Sequence, residues 1–231
     1  MNPKNAVLQK VRNNKRTYGI TPRIPGGFVT PEILIKISEV SKKYNGTIKI
    51  TSGQRITILG LNAEDIDNIW QELDMEPAIL SSYSVKNVEI CPASFCKRSR
   101  QNSMKLGLKL EKRFYGAPCP NRTKIGVVGC LNGCSSVHAK DIGLLANEEG
   151  FIVVAGGSAG YNQRLSDTIA RNLSEDEAFC MVESIYEVYN EKADFGQKLG
   201  PFIDKIGLDS FKELVFKVYN SKLTKKEKIN E

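Results

Sequence analysis

The chain has 231 residues, of which 41% are hydrophobic and 26% are charged, a balance typical of a globular protein with a substantial core. Its length suits one large domain or two small ones. No apolar run reaches the roughly 18 to 20 residues that a membrane span requires, and the first twenty residues lack the apolar centre of a signal peptide. We therefore expect a cytoplasmic protein without a membrane partner.

Lysine and arginine outnumber the acidic residues by 33 to 26, which gives a net charge of +7. An ordinary solvated surface with basic ends would explain this excess, and so would an anionic partner. Nucleic acid is the weakest candidate for that partner, because no helix-turn-helix, zinc-finger or RNA-binding aromatic motif stands out. The single histidine, His138, excludes a histidine-rich metal site.

The first third of the chain predicts a basic N-terminal arm followed by a small α/β unit. We assign residues 1–19 to the arm because they carry five basic side chains and few apolar ones. Residues 20–78 form the unit, whose predicted elements are a helix opened by Thr30 and Pro31, a half-buried strand with Ile48 and Ile50, a second strand over 55–59, and a helix after Asn62.

Residues 79–215 predict a second, larger α/β domain, and residues 216–231 predict a charged C-terminal tail. The predicted elements are a helix over 97–115, a buried strand over 125–128, a hairpin of 142–146 with 151–155, a helix capped by Ser174 and Glu177, and a last helix begun by Asp209. In the first of these helices, Leu106, Leu110 and Phe114 share one face, which we expect to be buried.

Four of the six cysteines form two short-spaced pairs beside predicted strands. Cys91 and Cys96 stand in CPASFC, and Cys130 and Cys134 stand in GCLNGC. Loops at such junctions allow thiolates to converge, and the helix N-termini that we predict after them favour negative charge. The spacing favours a [4Fe–4S] cluster over structural zinc, which more often uses C-x2-C knuckles. Unligated or redox cysteines are the remaining alternative.

The two remaining cysteines and the single histidine are assigned structural roles. Cys180 lies off the apolar stripe of its predicted helix and is treated as a bystander. Cys119, in PCPN, is assigned a structural role, with a spare cluster ligand as the alternative. We predict that His138 lies on the same helix as Cys134 and packs beside the cluster, with a proton donor as the alternative.

Several segments, taken in chain order, resemble the sirohaem-containing sulfite/nitrite reductase family. They include PRIPGGFVTPEIL, KITSGQRITILGL, CPASFCKRSRQNS, NRTKIGVVGCLNGCSSVHAKDIGLLA and VAGGSAG, and the likeness runs through about residues 20–160 and weakly to about 215. The resemblance implies an α+β fold in which a ferredoxin-like half-domain precedes a sirohaem and [4Fe–4S] α/β domain. It makes Cys91, Cys96, Cys130 and Cys134 the metal ligands, although CPASFC is one residue shorter than the family's common C-x5-C.

The resemblance also implies the residues that bind sirohaem and the substrate anion. Cys134 would bridge the cluster to the sirohaem iron, and the other cofactor-binding residues would be Asn132, Gly156, Gly157 and Arg23. The catalytic residues, which contact the anion, would be Arg23, Arg55, Arg122 and Lys124. Because Arg122 and Lys124 are two residues apart, they point to one face of a strand. Solvent-exposed strand charges are the alternative.

The activity implied by the resemblance is a six-electron reduction of sulfite to sulfide or of nitrite to ammonia. Gly53, in TSGQR, stands where sulfite-type members usually have Arg and is more like the nitrite branch, whereas Asn132 in GCLNGC is more like the sulfite branch. VAGGSAG lacks the dinucleotide fingerprint, so we expect ferredoxin or a partner reductase subunit to donate the electrons. The alternative is a non-catalytic [4Fe–4S] electron carrier or redox sensor. The sequence leaves the oligomeric state open.

Overall fold

A computed structural model describes residues 3–230 of the chain and the side chains of residues 3–224. The chain forms two compact units, Met1–Leu80 and Ser81–Glu231. Each unit has its own sheet and its own hydrophobic core. Among the described residues, no helix combines the length and the low polarity that crossing a membrane requires.

The first unit is a four-stranded antiparallel sheet that packs against two helices. Its strands are β1 (Val7–Leu8), β2 (Tyr18–Ile20), β3 (Thr47–Ile50) and β4 (Ile56–Leu61), and its helices are α1 (Pro31–Lys43) and α2 (Ile66–Leu73). The strand order is β1-β2-β4-β3, so β3 is an edge strand. Side chains from the strands and both helices form one core, which includes Ile20, Ile37, Ile58, Ile69 and Leu73.

Local signals in the sequence predict α1 correctly. The Thr30 hydroxyl accepts a hydrogen bond from the Ile33 N–H, and Pro31 occupies the first helical position. The predicted strand at Ile48 and Ile50 forms as β3, but both side chains are exposed because β3 lies at the edge of the sheet. Its burial was therefore predicted wrongly.

The residues expected to form an N-terminal arm contain regular structure. β1 pairs with β2 in an antiparallel ladder, in which Val7 lies opposite Gly19. β2 pairs in turn with β4, and Tyr18 is only 3% exposed. Two parts of the segment expected to be an arm, residues 7–8 and 18–19, therefore belong to the first unit's sheet.

The second unit is a five-stranded mixed sheet with four helices. The strands are β5 (Val85–Ile90), β6 (Thr123–Val128), β7 (Ile142–Asn147), β8 (Gly150–Ala155) and β9 (Asp167–Leu173), adjacent in that order. β5, β6 and β7 run parallel, whereas β8 and β9 are each antiparallel to the strand before them. The helices are α3 (Ser103–Phe114), α4 (Glu175–Lys192), α5 (Leu199–Ile206) and α6 (Leu208–Asn230).

Alternation along the strands gives this sheet two different faces. Val88, Ile125 and Leu144 point into the core that all four helices share, and we call this side the helical face. The opposite side, the loop face, is covered by the connection between β6 and β7, residues 129–141. A smaller core forms there between Val137 of the connection and the strand residues Val128, Leu145, Ile152 and Val154.

Glycines on the loop face let the connection lie directly on the strand backbone. A Cβ at Gly143 would be 2.6 Å from a methyl group of Val137 and 2.8 Å from the Val137 carbonyl oxygen. A Cβ at Gly126 would be 3.1 Å from Lys140 Cγ. The last part of the connection, residues 137–140, is therefore held closely against β6 and β7.

Several elements of the second unit form as the sequence predicts. β7 and β8 make the predicted hairpin, and Leu106, Leu110 and Phe114 are completely buried. Ser174 and Glu177 form the predicted capping box, since each side chain accepts a hydrogen bond from the other residue's backbone N–H.

The boundaries of the helices differ from the prediction. α3 begins at Ser103 and not at residue 97, because the Asn102 side chain caps it. α6 begins at Leu208, so Asp209 lies inside its first turn and does not begin the helix. α6 also runs through most of the residues expected to form the charged tail, of which Glu231 lies outside the described residues. The sequence analysis missed β9 and α5.

The close packing at Gly143 predicts a large effect of one added methyl group. Gly143→Ala forces Val137 away from the sheet, and we expect a loss of about 1–3 kcal/mol in the free energy of unfolding, as for other overpacked sites. Denaturant unfolding of the two proteins measures this loss.

The matched control is Gly160→Ala, whose Cβ would be 3.6 Å from the nearest side-chain atom, Ser158 Oγ. This variant should stay within about 0.5 kcal/mol of the wild type. Equal stability of Gly143→Ala and Gly160→Ala would contradict the packing described here.

Candidate functional site

The two cysteine pairs lie at the same edge of the second unit's sheet. Cys91 directly follows β5, and Cys96 ends the short 3-10 turn Ala93–Phe95. Cys130 and Cys134 come after β6, at the start of the connection. Because β5 and β6 are adjacent and parallel, their carboxyl ends meet at one edge of the sheet. We call it the cysteine edge.

The Cys91 sulfur has two polar neighbours. It accepts a hydrogen bond from the Gly129 N–H at 3.1 Å, and it is 4.0 Å from Ser103 Oγ in the first turn of α3. A helix N-terminus and a directed N–H group both stabilise a thiolate. Cys91 is 7% exposed and packs in the loop-face core, so it lies on the inner side of the edge.

The other three cysteines of the pairs are more accessible. Cys130 is half-buried, and Cys96 and Cys134 are exposed. The Asn132 side-chain amide donates a hydrogen bond to the Cys134 sulfur at 3.1 Å, which links these two predicted cofactor-binding residues directly. The α-helix expected after Cys134 is wrong, because residues 129–141 contain only the 3-10 turn Val137–Ala139.

This donor set fits an iron–sulfur cluster by its chemistry. All six cysteines in the described part of the chain are free thiols, and four of them share the cysteine edge. No three Cys, His, Asp or Glu side chains among the described residues are close enough together to hold a metal ion, so the four thiols share the edge without converging on one point. The exposed basic residues Lys97, Arg98 and Arg100 follow Cys96 directly and favour an anionic group there.

A cavity of about 660 Å³ lies beside Cys130 at the cysteine edge. Its lining includes the guanidinium-bearing residues Arg98 and Arg100, the amide-bearing residue Asn132 and the acidic residues Glu148 and Glu149. The Arg100 guanidinium is 3.6 Å from the carboxylate of Glu148, in an exposed ion pair. Guanidinium and amide groups bind carboxylates well, and sirohaem is rich in carboxylates. The sequence analysis missed Arg98 and Arg100, which the basic run after Cys96 could have indicated.

Arg122 and Lys124 lie at the opposite edge of the same sheet. Arg122 comes just before β6 and is exposed, and Lys124 is the second residue of β6. They therefore lie about 13–20 Å from Val128, the last residue of β6 before Cys130, at roughly 3.3 Å per residue. The structure does not bring these two predicted catalytic residues to the cysteines of their own unit.

The buried residue Asp141 accepts hydrogen bonds from backbone N–H groups at this opposite edge. Its carboxylate accepts a hydrogen bond from the Lys124 N–H at 2.9 Å and lies 3.8 Å from Lys198 Nζ. Burial is the largest influence on this carboxyl and raises its pKa, against the opposing effect of Lys198. The sequence analysis missed Asp141, although an acid directly before a strongly apolar strand was a usable signal.

Gly156 and Gly157 follow β8 at the same edge as Lys124, because Ala155 pairs with Ile142 at the start of β7. The Gly156 N–H donates a hydrogen bond to the Asp141 carbonyl oxygen at 2.7 Å. A Cβ on Gly157 would collide with the His138 carbonyl oxygen. Both glycines therefore have packing roles. The Gly156 N–H is therefore used within the chain, and the binding of sirohaem by Gly156 and Gly157 stays a prediction.

The remaining cysteines and the histidine take structural positions. The Cys119 thiol donates to the Asn121 carbonyl oxygen at 2.9 Å, and burial raises its pKa, which favours an uncharged thiol and not a spare ligand. Cys180 is fully buried in the helical-face core, so the prediction that it lies off the apolar stripe is wrong. His138 is exposed, with Nδ1 3.1 Å from Ser166 Oγ, and does not pack as predicted.

In the first unit, the two predicted anion-binding arginines have different surroundings. Arg23 forms an ion pair with Glu76 at 2.5 Å. Arg55 Nε is shielded from solvent and has no hydrogen-bond partner among the described residues. An unsatisfied buried N–H is costly, and an anion would satisfy it. Arg55 is therefore the better placed of the two to bind an anionic group. Gly53, two residues earlier, is buried.

Comparison with known proteins identifies the family. The family described as Nitrite and sulphite reductase 4Fe-4S domain matches residues 81–223, and the Nitrite/Sulfite reductase ferredoxin-like half domain matches residues 10–76. The chain belongs to the sirohaem-containing sulfite/nitrite reductase family. The predicted family and α+β fold are confirmed, and the matches point to a [4Fe–4S] cluster and sirohaem as the cofactors.

The relatives include proteins of very different length. The assimilatory-type sulfite reductase of Nitratidesulfovibrio vulgaris is 33% identical over 215 residues, which cover 92% of this chain and 97% of that protein. The NAD(P)H nitrite reductase of Emericella nidulans is 32% identical over 205 residues, which cover 86% of this chain but 19% of that protein. Among solved structures, the NirA protein of Mycobacterium tuberculosis shares the fold, with a TM-score of 0.78, 16% identity, and coverage of 89% of this chain and 40% of that chain.

The cysteine edge predicts which thiols are needed for the cluster. We expect Cys91→Ser, Cys96→Ser, Cys130→Ser and Cys134→Ser each to lose most of the cluster, because each removes one of four ligands. Iron and acid-labile sulfide per chain, measured after anaerobic purification, report the loss.

Cys180→Ala is the matched control, because Cys180 is buried in the helical-face core, away from the paired cysteines. It should keep the full cluster even if the protein becomes less stable. Full iron and sulfide in the Cys130→Ser and Cys134→Ser variants, or loss in Cys180→Ala alone, would refute this assignment of ligands.

Proposed function

We propose that this protein is a sirohaem and [4Fe–4S] oxidoreductase that reduces sulfite to sulfide with six electrons from an external donor. Nitrite, reduced to ammonia, is the second candidate substrate. The match to a sulfite reductase over 97% of that protein favours sulfite, whereas the chain spans about a fifth of the nitrite reductase compared with it. The observation that carries the proposal is the presence of two cysteine pairs at one sheet edge, beside a cavity whose lining includes Arg98 and Arg100.

In this proposal, the four cysteines of the cysteine edge hold the cluster. Gly129 and Asn132 donate N–H groups to the sulfurs of Cys91 and Cys134, and such donors stabilise negative charge on the ligands. When bound, the cofactors supply the electron transfer and an open iron position for the anion. Arg98 and Arg100 beside Cys130 would bind carboxylates of sirohaem.

The substrate is an anion, so its binding requires cationic donors. We assign this role to Arg55, with Arg23 as a further candidate, because Arg122 and Lys124 lie at the sheet edge opposite Cys130 and Cys134. Arg55 has an unsatisfied buried N–H, which an anion oxygen could accept. Cationic groups also stabilise the charge that develops as each oxygen leaves, and they hold the protons that turn it into water. Arg23 would have to exchange its ion pair with Glu76 to take part.

Electrons would enter from a ferredoxin or a partner reductase subunit. Lys97, Arg98 and Arg100 are exposed and follow Cys96, so they place positive charge beside the proposed cluster. Complementary charge steers the encounter of two proteins and orients them. An acidic donor protein therefore fits this surface.

Steady-state reduction of each anion, with a strong artificial electron donor, tests the proposed activity. We expect turnover of sulfite to sulfide in protein that contains both cofactors. Turnover of nitrite alone would select the second candidate. Full cofactor content without turnover of either anion would contradict the proposed enzymatic activity. The protein would then be an electron carrier or a redox sensor, an alternative suggested by the buried Gly53, which stands in place of an arginine.

The assigned anion-binding arginine predicts a second result. Arg55→Ala removes a charge-assisted hydrogen bond, worth about 1.5–3 kcal/mol, so kcat/KM should fall by about one to two orders of magnitude. Arg122→Ala should have a much smaller effect, because Arg122 lies at the edge opposite the cysteines. Lys112→Ala, at an exposed position on α3, is the control.

Sirohaem content must be measured beside activity in these variants. Turnover that falls only in proportion to lost sirohaem would identify Arg55 as a cofactor anchor. Full sirohaem with full activity in Arg55→Ala would contradict the assignment.

A further inference from the structure

A buried ion pair joins the two chain segments that carry the cysteines. Glu89 belongs to β5 and comes two residues before Cys91. Its Oε2 is 2.5 Å from Nζ of Lys140, which comes six residues after Cys134. The Glu89 side chain is 3% exposed and that of Lys140 is 10% exposed. The pair thus crosses from β5 to the end of the connection that contains Cys130 and Cys134.

Stability alone does not explain such a pair. Two charges lose their hydration when they are buried, and their attraction offsets that cost only when the geometry is good. Apolar side chains of similar volume often stabilise a fold at least as well. A buried pair at this position is therefore better explained by what it holds in place.

The surroundings of the pair show how it fixes the connection. Glu89 and Cys91 are two residues apart on an extended chain, so they point to the same side of the sheet. Lys140 crosses over Gly126, where a Cβ would come within 3.1 Å of its Cγ. Val137 packs in the same way over Gly143. The loop with Cys130 and Cys134 is therefore held at both ends. β6 precedes Cys130, and Val137 and Lys140 pack on the sheet after Cys134.

We propose that Glu89 and Lys140 are positioning residues for the iron–sulfur cluster. Their ion pair sets the position of the loop with Cys130 and Cys134 relative to Cys91, which follows Glu89 on β5. Neither side chain is a ligand, and both act through the segments to which they belong. This inference rests on the proposed assignment of the four cysteines to the cluster.

Two variants separate a positioning role from a purely stabilising one. The double variant Glu89→Gln with Lys140→Met removes both charges and the ionic link but leaves side chains of similar size. Glu89→Asp keeps the negative charge but shortens the side chain by one methylene group. The control is Lys222→Met, which removes the ion pair of 2.5 Å between Lys222 and Glu187 on α6 and α4.

Each variant is purified anaerobically as the loaded protein and measured in two ways. One measurement is the rate at which iron passes to a chelator, and the other is the midpoint of denaturant unfolding. We expect the double variant and Glu89→Asp to release iron at least about tenfold faster than the wild type, the range typical of lost outer-shell contacts at metal sites. Their unfolding midpoints should stay near that of the wild type, and Lys222→Met should release iron at the wild-type rate.

Wild-type iron release in both Glu89 variants would overturn the inference, and so would faster release that follows only a lower unfolding midpoint. If the double variant does not fold, Glu89→Asp alone decides between these results. A wild-type protein without a cluster, or cysteine variants that keep it, would instead refute the proposed function. The two failures are therefore distinguishable.

Discussion

Parallel pairing of β5 with β6 is the constraint on which the candidate site depends. Parallel neighbours end at the same edge of a sheet, so the segments that follow Ile90 and Val128 begin side by side. The next parallel step, from β6 to β7, is made by residues 129–141 without an α-helix. This connection covers the loop face, while α3 to α6 pack on the helical face. One face of the sheet therefore supplies the large core, and the other positions the cysteine loops.

Charge is distributed at the cysteine edge as an anionic cofactor requires. The N-terminus of α3, the Gly129 N–H and the Asn132 amide are all directed at cysteine sulfurs or lie close to them. Arg98 and Arg100 line the neighbouring cavity. Together with Lys97, they place positive charge where thiolates and carboxylates would bind. Glu148 and Glu149 also line the cavity, and Glu148 pairs with Arg100. The buried Glu89 is neutralised by Lys140.

Local signals made much of the fold predictable from sequence. The Thr30–Pro31 helix start, the Ser174 capping box and the β7–β8 hairpin depend on residues close together in the chain, and all three form. The two cysteine pairs were also recognisable, because their spacing is local. Relationships that depend on the sheet as a whole were not predictable. Strand alternation placed Arg122 and Lys124 together, but only the direction of β6 shows that they lie at the edge away from Cys130.

Buried polar residues escaped the sequence analysis for a related reason. Glu89 lies within VKNVEI, where alternation with valine and isoleucine is equally typical of a strand with one solvated face. Its burial follows from the connection that covers the loop face, and that cover depends on glycines in two other strands, Gly126 and Gly143. A single segment carries no signal for such an arrangement. The expected helix after Cys134 failed similarly, since these glycines let a segment of turns that includes the 3-10 turn Val137–Ala139 take its place.

The central claim is that four cysteines at one edge of this sheet hold a [4Fe–4S] cluster beside sirohaem. Metal and sulfide analysis of anaerobically purified protein, together with its visible spectrum, tests this claim most directly. The account predicts about five irons and four acid-labile sulfides per chain, one iron belonging to sirohaem, and absorption bands of sirohaem toward the red. Zinc bound in place of iron, with no acid-labile sulfide and no sirohaem bands, would contradict it.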